Sequence, residues 1–182
     1  GYTFDIGPTF FLMKDVLEDI FTMTGRKLAD YAGLTEVEPM YRLRYNERDD
    51  FYPARDLEKM EKEMERMYPG SFKHYLRYLK KERAKYDKLI PCLKVPYSSL
   101  WDLVRWRLVK ALPWLDVHRS LFSRLGKFFK NEQLRLAFTF QAKYIGMSPW
   151  KAPGLFSIIS FIEHGDGIFH VKGGLNKLSA GM

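Results

Sequence analysis

Four histidines and one cysteine are the side chains in this sequence that most often bind metals or act as nucleophiles. The histidines (His74, His118, His164 and His170) are dispersed, and none belongs to an H-E-x-x-H pattern. Cys92 stands alone, so the 182 residues contain neither an internal disulfide nor a metal site built from a cluster of cysteines. No serine lies in a G-x-S-x-G turn. These residues therefore indicate neither a metal site nor a covalent catalytic triad.

Glycine-rich turns that bind nucleotide phosphates are the next chemistry to consider. Gly165 and Gly167 begin a G-x-G, but His170 occupies the position of the third glycine, and no G-x-x-x-x-G-K occurs. The 182 residues therefore lack both nucleotide-phosphate fingerprints.

Two smaller features have structural interpretations. Glu163 and His164 are sequence neighbours, and we expect a polar helix end at which His164 interacts with the helix terminus. Cys92 lies in an apolar Ile-Pro-Cys-Leu stretch and is expected to be buried packing, not a nucleophile.

Residues 132–161 are dense in aromatic side chains: Phe138, Phe140, Tyr144, Trp150, Phe156 and Phe161, with Gln141 and Met147 interleaved. Such a surface suits the wall of a tunnel for a long apolar ligand. The same composition is typical of an ordinary core, which is the favoured interpretation of these residues taken alone.

Positive charge is concentrated in two adjacent segments. The chain carries 30 Lys and Arg against 22 Asp and Glu. Residues 73–94 hold eight basic against two acidic side chains, and residues 101–130 hold seven against two. A predicted helix over 98–112 combines this charge with Trp101 and an apolar stripe, as in helices that lie on a membrane surface. An ordinary core helix with a solvated basic face is the slightly favoured interpretation of the same residues. Nucleic-acid binding is disfavoured, because no recognition motif is present.

The elements that must position these residues are mainly helical. Apolar spacing predicts helices over 14–24, 56–67, 71–89, 98–112, 118–129, 132–144 and 153–163. Residues 38–53 predict a hairpin, 167–171 a short strand, 1–8 a strand and 173–182 the start of a helix. No run reaches the ~18 apolar residues of a membrane span. The pattern indicates an α+β fold.

The chain contains, in order, the motifs F-D-I-G-P-T (4–9), D-Y (30–31), P-M-Y-R-L (39–43), P-G (69–70), P-Y-S-S-L-W-D-L (96–103), H-R-S (118–120), L-R-L-A-F-T-F-Q-A-K-Y-I-G-M-S-P-W-K-A-P-G (134–154) and E-H-G-D-G-I-F-H-V-K-G-G-L (163–175). Taken together, these motifs resemble the bacterial-type phytoene and diapophytoene desaturases, FAD-dependent carotenoid enzymes of the amine-oxidase-like flavoprotein superfamily. The resemblance covers essentially the whole chain, in order. The 134–154 block followed by G-G-L is its most specific part.

The resemblance implies that these residues are a middle fragment of such an enzyme. Residues 1–12 would be a returning segment of a flavin-binding, Rossmann-like domain that is otherwise absent. Residues 13–166 would form a predominantly helical substrate-binding and membrane-associating region with the hairpin, and 167–182 would rejoin the flavin domain. FAD would then be bound by the full-length protein only, and the fragment alone is expected to be inactive.

The family's functional residues are carried over by motif. Cofactor-binding residues would be Asp5, Gly7, Pro8, Thr9, Gly173 and Gly174, with glycine allowing close approach of backbone to a ring system. Substrate-binding residues would be Phe138, Phe140, Gln141, Tyr144, Met147, Phe156 and Phe161. The catalytic residues would be Asp102 and Arg105, which match a D-x-x-R pair at the family's substrate site; their i, i+3 spacing puts them side by side on a helix. A surface salt bridge is the alternative interpretation of that pair.

The activity implied by the resemblance is two-electron transfer from allylic carbon–carbon bonds of a long polyene hydrocarbon to FAD. The expected partners are this carotenoid and an anionic membrane surface on the cytoplasmic side, with no nucleic acid; a homo-oligomer stays open. A related enzyme that oxygenates a carotenoid end group is the first alternative. A non-catalytic lipid- or membrane-binding domain is the alternative of another class.

Overall fold

The computed structural model describes residues 4–46, 49–99 and 106–182. Its elements follow the order α1 (Lys14–Met23), β1 (Leu34–Glu36), α2 (Leu57–Met67), α3 (Phe72–Leu93), α4 (Trp106–Ala111), α5 (Leu121–Leu125), α6 (Glu132–Ala137), α7 (Ser157–Asp166), β2 (Phe169–Val171) and α8 (Leu175–Gly181). Short 3₁₀ helices cover Leu28–Asp30, Leu112–Trp114, Phe140–Ile145 and Gly154–Phe156. The α+β class predicted from the sequence is confirmed.

The chain divides into two compact units. The first unit comprises Gly1–Glu63 and Ile162–Met182, and the second comprises Met64–Phe161. The first unit is therefore discontinuous in sequence, whereas the second is one uninterrupted segment.

A two-stranded antiparallel sheet organises the first unit. Leu34 of β1 pairs with Val171 of β2, and Phe11 extends the pairing through an isolated bridge to Phe169. Leu17 and Phe21, one turn apart on α1, are buried in the same core as Val171. Beyond α1, Gly25 has a φ of +73°, the left-handed conformation that ends many helices.

The predicted strand over 1–8 is wrong for the part that the structure describes. Residues 4–8 form no strand. Gly7 has a φ of +103° and Pro8 has no N–H to donate to a ladder, so regular pairing is interrupted there. In place of a regular hairpin over 38–53, the structure has an isolated antiparallel bridge between Leu43 and Phe51.

Helix α3 dominates the second unit. Its buried face repeats at intervals of three and four residues and carries Tyr75, Tyr78, Glu82, Lys85, Tyr86, Leu89 and Cys92. The helix runs to Leu93 and includes Pro91, so the predicted end at residue 89 is four residues short. A proline in the last turn removes only one hydrogen bond, and packing of Leu89 and Cys92 against Ala111 compensates. Cys92 is buried as predicted.

Several predicted helices are shorter than their apolar spacing suggests. The helix predicted over 118–129 is Leu121–Leu125, and the helix predicted over 132–144 ends at Ala137. Side-chain caps start both helices: Ser120 accepts from the Ser123 N–H and Asn131 accepts from the Leu134 N–H. Of the predicted 98–112 helix, the structure describes Trp106–Ala111 as helical; residues 100–105 lie outside the described residues. Within the described ranges, no helix is long and apolar enough to cross a membrane.

Candidate functional site

The two segments predicted to bind the cofactor lie together in the first unit. The Asp5 carboxylate accepts hydrogen bonds from the Leu175 N–H, at 3.2 Å to Oδ1 and 3.3 Å to Oδ2. Asp5 and Gly174 are thereby neighbours although almost the whole chain separates them. Tertiary folding thus brings the first and last predicted cofactor residues to one place.

The glycine pair, Gly173 and Gly174, has backbone angles that other residues rarely adopt. Their φ values are +82° and +96°. A Cβ at position 174 would lie 2.7 Å from Asp5 Oδ1, which is closer than real contacts allow. Glycine is therefore favoured at 174 by its positive φ, and a larger residue there would also displace the Asp5 carboxylate.

An open cleft of about 650 Å³ lies beside this turn. Most of its lining is apolar: Phe4, Ile6, Pro8, Phe10, Phe11, Leu175 and Leu178, together with Asp5, Asn176 and Ser179. Gly7 is exposed on the same segment, and the Thr9 carbonyl oxygen lies 3.0 Å from His170 Nδ1. Apolar walls next to side-chain-free backbone suit a planar ring such as the flavin of FAD, so the residues present fit that group.

The predicted substrate residues separate into a buried set and an accessible set. Phe138 belongs to an aromatic cluster in the second unit, which consists of Tyr75, Tyr78, Phe128, Phe129 and Phe138. Its ring centroid is 4.4 Å from that of Phe129 and 5.5 Å from that of Tyr78. Burial raises the pKa of Tyr75 above its ordinary value. Phe138 therefore packs against three rings of this cluster, those of Tyr75, Tyr78 and Phe129.

Gln141 and Phe161 are also buried. The Phe161 ring lies 5.8 Å from the Tyr86 ring, and the Arg83 guanidinium stands 4.9 Å from its centroid. Tyr144 and Met147, in contrast, are 39% and 38% exposed.

Phe140 and Phe156 are half-buried. Lys143 Nζ is 4.7 Å from the Phe140 ring centroid and 5.5 Å from that of Tyr144. The predicted helix over 132–144 would have carried Phe138, Gln141 and Tyr144 together. This prediction is wrong, because α6 ends before Phe138 and a 3₁₀ helix begins at Phe140. The predicted catalytic pair, Asp102 and Arg105, lies outside the described residues.

Sequence reasoning missed a buried ionic network at the centre of the second unit. Lys85 Nζ donates to the carbonyl oxygens of Gly154 and Leu155 at 3.1 and 3.0 Å. It also donates to Ser157 Oγ at 2.9 Å and lies 3.5 Å from Glu82 Oε2. Burial lowers the pKa of Lys85 below its ordinary value, and the Glu82 carboxylate opposes that shift. One ammonium group therefore holds the chain segment 154–157 against α3.

Two further residues complete the ionic network. Arg124 Nη2 donates to Glu82 Oε1 at 3.0 Å, and Arg124 Nε lies 2.9 Å from Asp116 Oδ2. Ser157 Oγ donates to Glu82 Oε2 at 2.7 Å. The signal in the sequence was the placement of Glu82 and Lys85 on the buried face of α3, one turn from Tyr78 and Leu89. The sequence analysis counted Glu82 and Lys85 only as charges of the basic segment 73–94, and for this reason it did not predict the ionic network.

His164 lies in the last turn of α7, as expected, but this helix end is buried and not polar, which corrects the rest of that expectation. Glu163 and His164 are both buried. His164 Nε2 lies 2.8 Å from the Tyr41 hydroxyl, and burial lowers the pKa of His164 to about 3. The imidazole is therefore neutral near pH 7 and acts in packing and hydrogen bonding, not as a charge at the helix terminus. Among the described residues, no group of side chains is arranged to hold a metal ion.

Comparison with known proteins finds relatives along the entire chain, although no family model matches it. The chain is 46% identical over 182 residues to a 4,4'-diapophytoene desaturase (4,4'-diapolycopene-forming) of Methylomonas sp, covering 100% of this chain and 35% of that protein. It is 36% identical to the zeta-carotene-forming phytoene desaturase of Myxococcus xanthus, covering 96% of this chain and 34% of that protein. It is 28% identical to a 4,4'-diapolycopene oxygenase of Methylomonas sp, covering 100% of this chain and 37% of that protein.

The resemblance predicted from the motifs is confirmed: this chain is a relative of the carotenoid desaturases. It spans about a third of the length of the curated relatives it matches.

Proposed function

We propose that this chain is part of a longer polypeptide that desaturates a carotenoid precursor of the phytoene or diapophytoene type with FAD as cofactor. The observation that carries the proposal is the 46% identity, over the whole chain, to a 4,4'-diapophytoene desaturase. We place residues 1–12 and 167–182 against a Rossmann-like flavin domain, and residues 13–166 in the substrate-binding region.

The cofactor would bind beside the glycine pair. When bound, FAD would supply the redox chemistry by accepting two electrons from the substrate. The residues of this chain hold the site in shape: Asp5 accepts from the Leu175 N–H, and this contact keeps the turn at Gly173 and Gly174 closed. Pro8 lines the cleft with the apolar side chains around it and would offer a flavin ring an apolar surface, and we propose that Gly7 and Thr9 contact the cofactor from the same segment.

A polyene hydrocarbon offers no polar group, so its binding site must exclude water and present apolar walls. Phe140, Tyr144, Met147 and Phe156 retain accessible surface and are the residues that we propose contact the substrate. Phe138, Gln141 and Phe161 are buried and would support that wall from behind. Asp102 and Arg105 are proposed as the polar pair near the reacting bond.

The proposed polypeptide would associate peripherally with the anionic inner face of the cell membrane, where a carotenoid precursor dissolves. The basic segments 73–94 and 101–130 favour this location, since each basic residue near an anionic surface contributes about 1 kcal/mol at low salt.

The test is to express the complete polypeptide in cells that accumulate either phytoene or diapophytoene and to identify the pigments formed. We expect products with additional conjugated double bonds, and a purified protein with flavin absorbance. Absence of both flavin and product would overturn the proposal and favour the non-catalytic lipid-binding alternative.

A second candidate function is oxygenation of a carotenoid end group. It is supported by the 28% sequence identity between this chain and a 4,4'-diapolycopene oxygenase. Mass spectrometry of the same pigments separates the two activities. Desaturation lowers the hydrogen content of the product, whereas oxygenation adds oxygen to it.

A further inference from the structure

A cavity of about 530 Å³ in the second unit has an unusually basic lining. Its charged residues are Arg77, Lys81, Lys85, Arg119, Arg124, Lys127 and a single carboxylate, Asp116, while Pro113, Trp114, His118 and Phe128 complete the wall. A hydrocarbon substrate has no group that could use six cations. The desaturation chemistry therefore assigns these cations no role, and a general attraction to an anionic membrane does not explain why they line one cavity.

Two arginines are fixed in place at one wall of the basic pocket. Arg77 Nη2 donates to the Lys127 carbonyl oxygen at 2.6 Å. The guanidinium groups of Arg77 and Arg124 each lie 5.5 Å from the centroid of the Phe128 ring. Such anchoring lowers the entropy lost when a guanidinium binds an anion.

The carboxylates near the basic pocket, those of Asp116 and Glu82, already form ion pairs. Asp116 is paired with Arg124 at 2.9 Å and lies 3.7 Å from His118 Nε2. Glu82, behind the wall, is paired with Arg124 and Lys85. Lys81, Arg119 and Lys127 have no carboxylate partner within the described part of the chain. Three exposed cations therefore surround the cavity without an internal counter-charge.

We propose that the basic pocket binds a phosphate-bearing ligand, with Lys81, Arg119 and Lys127 neutralising the phosphate. Guanidinium and ammonium groups are the residues that proteins use for this anion. The cavity falls within the size range of small-molecule sites, so it accommodates a diphosphate or a phosphorylated lipid headgroup. The proposal stands on the pocket alone and does not depend on the carotenoid activity.

The first test is a calorimetric titration of the complete polypeptide with inorganic pyrophosphate. The variant Lys81→Glu/Arg119→Glu removes two exposed pocket cations. Its control, Lys62→Glu/Lys130→Glu, makes the same charge change at exposed lysines outside the pocket. We expect saturable binding, weakened by about tenfold or more in the pocket variant and little changed in the control, because each charged hydrogen bond lost is worth about a factor of ten.

The variant pair also separates the pocket from any other phosphate site in the polypeptide, since only binding at the pocket responds to Lys81 and Arg119. Equal melting temperatures for both variants show that folding is intact. Absence of saturable binding, or an equal loss in both variants, would overturn the proposal and indicate a diffuse effect of net charge.

A second measurement identifies the source of the phosphate. Vesicles of phosphatidylcholine with phosphatidic acid, and vesicles of phosphatidylcholine alone, are sedimented with each variant. If the lipid headgroup is the ligand, the phosphatidic acid vesicles bind the protein, pyrophosphate releases it, and the pocket variant binds less than the control. If pyrophosphate binds but does not compete with vesicles, a free phosphate compound is the ligand.

Discussion

The two units hold their buried basic side chains, Lys85 and His164, in opposite ways. The second unit buries charge: Lys85 and Glu82 are each almost completely inaccessible, and four acceptors surround the ammonium group. The first unit buries a neutral group: His164 is held by a hydrogen bond with Tyr41, and its low pKa keeps it uncharged. Both arrangements avoid an isolated buried charge, which folded proteins rarely tolerate.

This difference determines how each unit responds to a perturbation. A charged network is stable only while every partner is present, because a charge that loses its partners remains buried. A neutral imidazole tolerates a small change in its partner but responds to acid, which forces a proton onto it. The second unit should therefore be sensitive to mutation, and the first unit to pH.

The largest expected effect comes from Lys85→Met, which removes the ammonium group but retains most of the side-chain volume. Two carbonyl oxygens and Ser157 Oγ lose their donor, and Glu82 keeps only Arg124 and Ser157 as partners. We expect the free energy of unfolding to fall by about 3–5 kcal/mol, as when other buried pairs are broken. Denaturant unfolding measures it.

The control is Lys88→Met, one turn further along α3 and exposed, which should change stability by no more than about 0.5 kcal/mol. Equal stability of the two variants would contradict the view that the ionic network supports the second unit.

Phe138→Ala measures how much apolar packing contributes to the stability of the second unit, for comparison with the contribution of the ionic network. Phe138 is fully buried in the aromatic cluster, so truncation should destabilise by about 3 kcal/mol, the lower end for buried phenylalanine, because neighbouring rings can move inward. Carotenoid product ratios are measured on the same full-length variant. Altered ratios with an unchanged melting temperature would instead place Phe138 at the wall of a substrate tunnel.

The pH dependence of stability tests the first unit. In the unfolded chain His164 titrates near its ordinary pKa of 6.5, whereas in the folded chain its pKa is about 3. As the pH falls below 6.5, the unfolded chain takes up a proton that the folded chain does not, so stability present above this pH is lost. The loss should reach about 2 kcal/mol by pH 5.

Comparison of thermal unfolding at several pH values, with and without His164→Gln, isolates this contribution. The variant should flatten the profile between pH 6.5 and 5, whereas His118→Gln, at an exposed histidine, should leave it unchanged. An unaltered profile in His164→Gln would assign the pH dependence to other groups.

The smallest expected effect is that of Gly174→Ala relative to Gly146→Ala. Both positions have positive φ, but a Cβ at 174 meets Asp5 whereas a Cβ at 146 meets nothing within 4 Å. We expect losses of about 2 kcal/mol at 174 and about 1 kcal/mol at 146, the difference being the contact with the carboxylate. Flavin absorbance of the complete polypeptide should fall only for Gly174→Ala; equal flavin content in both variants would weaken the cofactor assignment.

Local patterns in the sequence were sufficient to predict those helix ends that depend mainly on neighbouring residues. Asp56 is a residue type typical of helix N-caps, and its carboxylate accepts from the Lys59 N–H at 2.9 Å at the start of α2. Gly25 directly follows the predicted helix over 14–24, where glycine often ends a helix, and it adopts the left-handed conformation. The motifs were also sufficient to identify the resemblance to carotenoid desaturases, because a family is recognised from the order of its residues and this comparison needs no knowledge of tertiary contacts.

Tertiary structure alone decided which of the predicted residues meet. Apolar spacing continues past Ala137, yet the helix ends there because Phe138 packs into the aromatic cluster. Glu82 and Lys85 belong to a basic segment by composition, and burial against 154–157 makes them a structural network. Asp5 and Gly174 come together only through folding. In each case the deciding interaction joins residues far apart in the chain, and its free energy exceeds the local preference that sequence patterns record.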